Sequence, residues 1–224
     1  MTDLVAGIDE LASDVGSEAS PLSALSVVSP PQPLRSALVP SDLYPHVRVV
    51  RDYATLTKIG RIRYEQYVLT QGKTYRSAVL DRDCLLELSD FTGVNVYATD
   101  GQAITAAMRV SHIVDPHHPR SALLVAAAGR HGIDVAISLL CSRLVKHPAY
   151  KISHAADLVR FVRYQTVAAG YRYCVMQTAP KLVPYFKRFQ FYNSGTVVDD
   201  PDAGTLHIMI LDTEFKRAQL RRLS

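Results

Sequence analysis

Residues 137–178 read ISLLCSRLVKHPAYKISHAADLVRFVRYQTVAAGYRYCVMQT, and this stretch decides the fold. Its apolar beginning, 137–146, predicts a strand that ends at a His-Pro dipeptide. Ser153 is expected to cap a helix that ends just before Gly170, because serine favours the first position and glycine the position after the last. A short buried strand over 173–177 follows. Since a helix connects strands that run in the same direction, the stretch predicts a parallel pair.

Turn signals and alternating patterns extend the fold on both sides of this unit. Asp100-Gly101 separates two alternating runs, which is a strong hairpin signal. Pro180 is favourable in the first turn of a short helix, and Pro184 predicts a kink in it. The other expected elements are a strand over 46–50, a helix over 53–69, hairpin strands over 94–99 and 103–113, a helix over 179–189 and final strands over 196–199 and 206–211. The order predicts an α/β (α+β) fold with a mixed, mostly antiparallel, seven-stranded sheet and helices on both faces.

Charge is unevenly distributed along the chain. The 224 residues carry a formal net charge of +4, yet residues 1–40 contain five acidic side chains and one basic side chain. This composition, with its prolines, predicts a disordered acidic, Pro-rich tail over 1–43. A single domain is expected over 44–215 and a basic C-terminal tail over 216–224. A basic body favours anionic partners such as phosphates, nucleic acid or an acidic carrier protein.

Several classes of protein are excluded by composition and spacing. No apolar run is long enough for a transmembrane helix, and the acidic N-terminal residues differ from a signal peptide. Cys84, Cys141 and Cys174 lack CxxC spacing, which predicts three small core side chains in a reducing compartment, hence the cytoplasm. The pair His117-His118 has no third ligand at a suitable spacing, so no metal is expected. The sequence contains no zinc-finger spacing, no RNP-like motif and no long basic run, so nucleic-acid binding is not expected.

Six short motifs, taken in order, resemble the GNAT superfamily of acyltransferases over residues 47–212. The pattern is most similar to N-acyl amino acid synthases and to acyl-homoserine-lactone (autoinducer) synthases. The motifs are Arg63–Val68 on the first helix, the acid-rich segment Asp83–Asp90, Met108-Arg109-Val110 in the hairpin, Ser142-Arg143-Leu144 in the central strand, Pro148-Ala149-Tyr150 after it, and Tyr185–Phe191 near the end. The resemblance implies a GNAT-like sheet and acyl transfer from a thioester.

The resemblance also implies where the acyl donor binds. In CoA-binding GNAT proteins, backbone N–H groups of a Gly-rich turn and a helix N-terminus hold the pyrophosphate. The matching segment Lys151–Ala156 contains no glycine, which favours an acyl carrier protein over CoA because Cβ atoms hinder backbone approach to phosphate. Acyl-ACP or acyl-CoA is thus the expected cosubstrate, with no bound cofactor. The candidate donor-binding residues are Val145, Lys151, Ser153, His154 and Ala155.

Candidate residues for the chemistry follow from the needs of thioester aminolysis. The amine must be neutral, the tetrahedral oxyanion must be stabilised and the departing thiolate must be protonated. By resemblance, Tyr185 is the general acid, with core packing as the alternative. Glu87 and Asp90 are candidate bases, with solvated acids as the alternative. Arg109 and Arg143 are candidate ligands for a substrate carboxylate, with structural ion pairs as the alternative.

These observations together predict an N-acyltransferase. It would transfer an acyl group, expected to be fatty, from a thioester donor to the amine of an amino acid or peptide. Three alternatives stay open: an acyl-homoserine-lactone synthase, a CoA-dependent small-amine acetyltransferase, and a non-catalytic GNAT-like binding module.

Overall fold

A central sheet organises the computed structural model, which describes residues 32–75, 79–81 and 83–214. In chain order the strands of the described residues are β1 (Val47–Val49), β2 (Val79–Asp81), β3 (Cys84–Leu86), β4 (Val94–Thr99), β5 (Ile104–His112), β6 (Ser138–Lys146), β7 (Tyr173–Thr178), β8 (Tyr192–Asp200) and β9 (Gly204–Asp212). Seven of them form the central sheet, in the order β1-β4-β5-β6-β7-β9-β8, and β2 pairs with β3 in a separate hairpin. Among these pairs only β6 and β7 are parallel. The predicted mixed, mostly antiparallel sheet is confirmed.

Helices connect and cover these strands. Asp52 caps α2 by accepting the backbone N–H of Thr55 at 2.7 Å, and the helix continues as a π-helical stretch over Tyr64–Thr70. Within the described ranges, no helix is both long and apolar enough to cross a membrane. The helices are α1 (Leu34–Ala37), α2 (Tyr53–Arg63), α3 (Ser89–Thr92), α4 (Ser121–Arg130), α5 (Ile152–Ala168) and α6 (Val183–Lys187), with 3₁₀ turns over Val135–Ile137 and Pro180–Leu182.

The core lies on both faces of the sheet, as the sequence predicts. On one face, Phe161 of α5 is buried in the same cluster as Met108 of β5, and α1 and α6 contribute to this cluster. On the opposite face, Ile59 of α2 packs with Ala107 of β5, while α4 covers the sheet beside Leu140. The strands β5, β6 and β7 are therefore enclosed by helices on both sides. Cys84, Cys141 and Cys174 are all buried, which confirms their prediction as core side chains.

Several local expectations differ from the structure. Ser153 does not cap α5, because the helix begins one residue earlier at Ile152 and its N-cap residue is Lys151, which makes no side-chain capping bond. The helix α4 (Ser121–Arg130) was not predicted. Its N-cap residue is Arg120, which is not a residue type that marks the start of a helix and which makes no side-chain capping bond. The last two strands are longer than expected.

The disordered tail predicted over 1–43 includes residues near its end that are ordered in the structure. Leu34, Ala37 and Leu38 are buried in the main core, and the backbone N–H of Gln32 donates to the carbonyl of Ala169 at 3.0 Å. Packing of these apolar residues onto α5 thus orders a segment whose prolines predicted disorder. The rest of the expected tail, residues 1–31, and the expected tail at 216–224 lie outside the described residues.

A local irregularity of β6 opens the sheet. The parallel pairing of β6 with β7 ends at Cys141, opposite Met176, although β6 continues to Lys146. On its other side, β6 contains one extra residue relative to β5, since Arg109 faces Ser142 but Ala107 faces Val145. This is a β-bulge, in which the extra residue bends and twists the strand. The two strands separate beyond Cys141 and leave a cleft.

Candidate active site

The cleft between β6 and β7 has a volume of about 450 Å³ and is lined from both faces of the sheet. Residues of α5 and α6 line it on one face, including Ile152, Ala155, Tyr185 and Phe186. On the other face the lining includes Tyr67, Lys73, Tyr75, His118 and Arg120. A passage lined in this way gives two ligands access from opposite faces to the same point in the sheet.

A buried network of ion pairs lies beside the cleft on the α2 face. Glu87 Oε2 accepts hydrogen bonds from Arg109 Nη1 at 2.8 Å and from Arg143 Nε at 2.7 Å. Arg143 Nη2 also donates to Glu87 Oε1. Arg63 Nη1 lies 2.7 Å from Asp90 Oδ1, and Arg109 Nη1 lies 3.3 Å from the same oxygen. The structure thus brings together the four predicted residues Glu87, Asp90, Arg109 and Arg143, as partners of one another.

Electrostatics keep both carboxylates of this network ionised. Burial alone would raise the pKa of Glu87, but the charges and hydrogen bonds of Arg143 and Arg109 outweigh it and hold that pKa well below its usual range. Burial would also raise the pKa of Asp90, but the charges of Arg63 and Arg109 outweigh burial and lower that pKa. A carboxylate with a depressed pKa is a weak proton acceptor. The network is therefore suited to holding arginines in place rather than to receiving protons.

Arg143 is the member of the network that reaches the cleft. Its side chain is 16% exposed, whereas that of Arg109 is fully buried. The bulge gives Arg143 a left-handed backbone conformation, with φ of 56°, and its Cζ lies 4.2 Å from the centre of the Tyr75 ring. Tyr67 fixes the adjacent backbone, since its hydroxyl donates to the carbonyl of Leu144 at 2.7 Å. The guanidinium is thus held rigidly at the cleft wall on the α2 face.

Tyr185 lies on the opposite wall of the cleft, where the general acid was predicted. Its ring packs against Phe186 and Phe189, with centroids 5.2 and 5.1 Å away. Its hydroxyl is shielded from solvent and has no hydrogen-bond partner within the described residues. Burial raises its pKa, partly offset by Arg160 and Arg188. A neutral phenol with an unused donor is suited to giving a proton to a ligand in the cleft.

The predicted donor-binding residues are separated by the structure. Ala155 lines the cleft, whereas Lys151 and Ser153 are exposed at the start of α5. His154 Nδ1 is 2.7 Å from the hydroxyl of Thr105. Val145 packs on the α2 face with Ile59 and its neighbours, away from the start of α5. The structure places only Ala155 of this set in the cleft wall.

The loop between β6 and α5 is closed by a lysine that was not predicted. Lys146 Nζ donates to the carbonyls of His147, Pro148 and Tyr150 at 2.8, 3.1 and 2.6 Å. The backbone N–H groups of Tyr150 and Ala149 are used within the loop, by the carbonyl and the Nδ1 of His147. Few loop N–H groups are therefore left for a phosphate, and those of the first turn of α5 are the main ones available.

Sequence reasoning missed several polar residues of the cleft. These residues are Lys73, His118, Arg120, Lys181 and Asp200, which come from four separate loops and ends of elements. No local motif marks them, because they converge only through the pairing of distant strands. Within the described residues, no group of three or more His, Cys, Asp or Glu side chains is arranged to hold a metal ion.

His118 is the histidine of the cleft. Its ring is largely buried, and its Nδ1 accepts the backbone N–H of Arg120 at 3.3 Å. Burial, with smaller effects of Arg109 and Arg143, lowers its pKa to about 4. The imidazole is therefore neutral near pH 7, and the bond to Nδ1 assigns its proton to Nε2. His118 can donate one hydrogen bond from Nε2 in the cleft.

Comparison with known proteins identifies the fold. No family model matches the chain, and no curated protein matches its sequence. Among solved structures, MesI, a CoA-dependent acyl-homoserine lactone synthase, is 20% identical with a TM-score of 0.58 over 79% of this chain and 94% of its own. FeeM, an N-acyl amino acid synthase from uncultured soil microbes, is 12% identical with a TM-score of 0.59 over 80% of this chain and 96% of its own.

A third similar structure is BjaI, a CoA-dependent acyl-homoserine lactone synthase solved with SAM and isopentyl-CoA. It is 13% identical with a TM-score of 0.58, over 79% of this chain and 88% of its own. These comparisons show that the chain has the fold of these acyltransferases, and the GNAT-like fold predicted from the sequence is confirmed. At such low identity, the likeness concerns the fold.

Proposed function

We propose that the chain is an N-acyltransferase that transfers an acyl group, expected to be fatty, from a thioester donor to the amine of an amino acid or peptide. The observation that carries this proposal is the separation of β6 from β7 beyond Cys141, inside a fold similar to known acyltransferases. Beyond that point β6 has no partner strand on its β7 side among the described residues. Backbone N–H groups on that edge are suited to stabilising the oxyanion of a thioester under attack.

The proposed reaction joins the two faces of the cleft. The amine enters from the α2 face and attacks the thioester carbon, so that a C–N bond forms and the C–S bond breaks. The nitrogen loses its proton to solvent, and the departing thiolate takes a proton from the Tyr185 hydroxyl, which is later reprotonated from water. The buried Tyr185 hydroxyl without a protein partner supports this role.

The ion-pair network is proposed to position Arg143. Glu87, Asp90 and Arg109 form a network away from the cleft lining. The lowered pKa values of the Glu87 and Asp90 carboxyl groups make these two residues poor bases. We therefore assign Glu87 and Asp90 as positioning residues within the catalytic site, and Arg143 as the group that contacts substrate. Arg109 supports Arg143 through their shared partner Glu87 rather than by binding a carboxylate itself.

An acyl carrier protein is the proposed donor, with acyl-CoA as the alternative. The loop after β6 directs three carbonyls at Lys146 and uses its N–H groups internally, which leaves little room for a pyrophosphate. Lys151 and the first turn of α5 are sufficient for the single phosphate of a phosphopantetheine arm. The net positive charge of the chain also suits an acidic carrier surface.

Thiol release from purified donors tests the proposal. The chain is incubated with acyl-ACP or acyl-CoA and a mixture of the common amino acids, and N-acyl products are identified by mass spectrometry. We expect amine-dependent thiol release with either donor and a higher kcat/KM with the carrier protein. Thermal stabilisation by the thioester without any release would instead support the binding module. Formation of an acyl-homoserine lactone from S-adenosylmethionine would instead support the alternative that the chain is an acyl-homoserine-lactone synthase.

A further inference from the structure

The charged residues of the cleft are mostly cationic on the side where the amine is proposed to enter. Lys73, Arg120, Arg143 and Lys181 line the cleft, as does Lys146, whose ammonium donates to the carbonyls of its own loop. Asp200 is the only acidic lining residue within the described part of the chain. The acceptor side therefore has a positive potential.

Two of these cations already have partners. Arg120 Nη1 pairs with Asp200 Oδ2, and Asp200 Oδ1 is used by the backbone N–H groups of Asp202 and Ala203 at 2.7 and 2.8 Å. Arg143 is paired with Glu87. The acid and the two arginines thus form pairs, and no acidic group of the described lining is left over for a cationic ligand.

Lys73 and Lys181 have no such partners. Neither ammonium has a carboxylate within 4.0 Å among the described residues, and Lys73 Nζ lies 5.3 Å from the centre of the Tyr67 ring. Burial, followed by the charge of Arg143 and with a smaller contribution from Lys181, lowers the pKa of Lys73, although the negative charge of Asp200 opposes this shift. The ammonium of Lys73 is partly buried without a carboxylate partner, which is costly, and a ligand carboxylate would remove that cost. Lys181 is exposed and adds its positive charge to the cleft lining.

We infer that the amine acceptor is a dicarboxylic amino acid, whose two carboxylates are bound by Lys73 and Lys181 beside Arg143. This inference rests on the proposed function and specifies its acceptor. His118 adds a neutral Nε2–H donor for a carboxylate oxygen. The cations also favour the neutral form of the incoming amine, because nearby positive charge lowers the pKa of an ammonium group. A sulfonium acceptor such as S-adenosylmethionine is disfavoured by the same charges.

Isosteric acceptors test the inference with the purified chain. Acyl transfer is measured for glutamate against glutamine, for aspartate against asparagine, and for S-adenosylmethionine, with the same acyl-ACP donor. We expect kcat/KM for the better dicarboxylate to exceed that for its amide by on the order of tenfold or more, as for an ion pair formed in a partly desolvated site. The difference is expected mainly in KM, since the lysines bind rather than react.

Matched variants identify the lysines responsible. Lys73→Met and Lys181→Met are each expected to reduce the preference for the dicarboxylate by several fold, while Lys58→Met, at an exposed position on α2, keeps it. Equal or faster transfer to the amides, or transfer to S-adenosylmethionine, would overturn the inference and leave acyl transfer itself intact. If none of the acceptors in the panel gives thiol release, the inference and the proposed function are overturned together.

Discussion

Arg143 Nε lies 2.7 Å from Glu87 Oε2, although 56 residues separate the two in the chain. The bulge in β6 is the reason for this contact, because the left-handed conformation of Arg143 changes where its side chain is directed. Glu87 is 3% exposed, so the pair is formed almost without water. A rigid cation at the wall of the cleft is the result.

Glu87→Gln is expected to destabilise the protein. The substitution leaves Arg109 and Arg143 with one carboxylate fewer, and breaking a buried pair in this way costs about 3 kcal/mol of the free energy of unfolding. Urea unfolding measures the change. Asp157→Asn is the matched control, because Asp157 forms surface ion pairs with His46 and Arg160, and its loss should cost less than about 1 kcal/mol. Similar losses in both variants would contradict the account of the network.

The same pair predicts how stability depends on pH. The pKa of Glu87 lies well below its ordinary value of 4.5 in the folded chain. As the pH falls from about 5 to about 3, the unfolded chain therefore binds a proton that the folded chain does not, and stability decreases. Urea unfolding across this range should show a shallower pH dependence for Glu87→Gln than for the unsubstituted chain, by up to about 1.4 kcal/mol per pH unit. Parallel dependences would show that Glu87 titrates normally.

Tyr185→Phe is expected to separate activity from stability. Removal of the general acid should lower kcat by about 100-fold or more. Because the hydroxyl has no hydrogen-bond partner within the described residues, its removal should leave the free energy of unfolding unchanged or slightly higher. Tyr164→Phe on α5, where the tyrosine is 51% exposed, is the control for both measurements. Full activity of Tyr185→Phe would exclude the proposed role.

His118 is expected to stay neutral over the physiological range. Its pKa is lowered to about 4, chiefly by burial. A two-dimensional NMR titration of the imidazole, assigned with a His118→Gln variant, should show a neutral ring with its proton on Nε2 at pH 6. A midpoint near the ordinary value of 6.5 would contradict the buried position beside Arg109 and Arg143.

Two glycine substitutions are expected to act in opposite directions. In Gly60→Ala the new Cβ would meet Cys84 Sγ and lie 3.1 Å from Leu86 Cδ2, so the packing of α2 on β3 should lose about 1–3 kcal/mol. In Gly129→Ala nothing lies within 4 Å of the new Cβ, and the helix α4 should gain up to about 1 kcal/mol. Both changes can be measured by thermal unfolding. Stabilisation by Gly60→Ala would contradict the packing.

Sequence signals predicted the elements that short-range chemistry determines. The strand–helix–strand unit follows from Gly170 and two apolar runs, and the hairpin between β4 and β5 follows from Asp100-Gly101. The resemblance marked Glu87, Asp90, Arg109 and Arg143, and structural ion pairs were the alternative for the two arginines, but the sequence did not indicate which carboxylates they bind. That arrangement depends on the register of β5 and β6, which no local pattern determines.

The remainder could not be predicted because it is made by distant parts of the chain. Lys73 and Lys181 come from segments more than one hundred residues apart and meet only at the cleft. Ser153 had the residue type of a cap, yet the helix begins one residue before it. Leu34 and Leu38 lie in a proline-rich stretch, and tertiary packing onto α5 orders them despite their local composition.

The most direct measurement is mass spectrometry of extracts from a bacterial host that makes the full chain. It is compared with a host that makes the Tyr185→Phe variant at the same level of folded protein. The account predicts new N-acylated amino acids, dicarboxylic ones foremost, that decrease strongly in the variant. If thioester donors and amino acids are present and the two extracts contain the same N-acyl products in the same amounts, or none, acyl transfer by this cleft is contradicted.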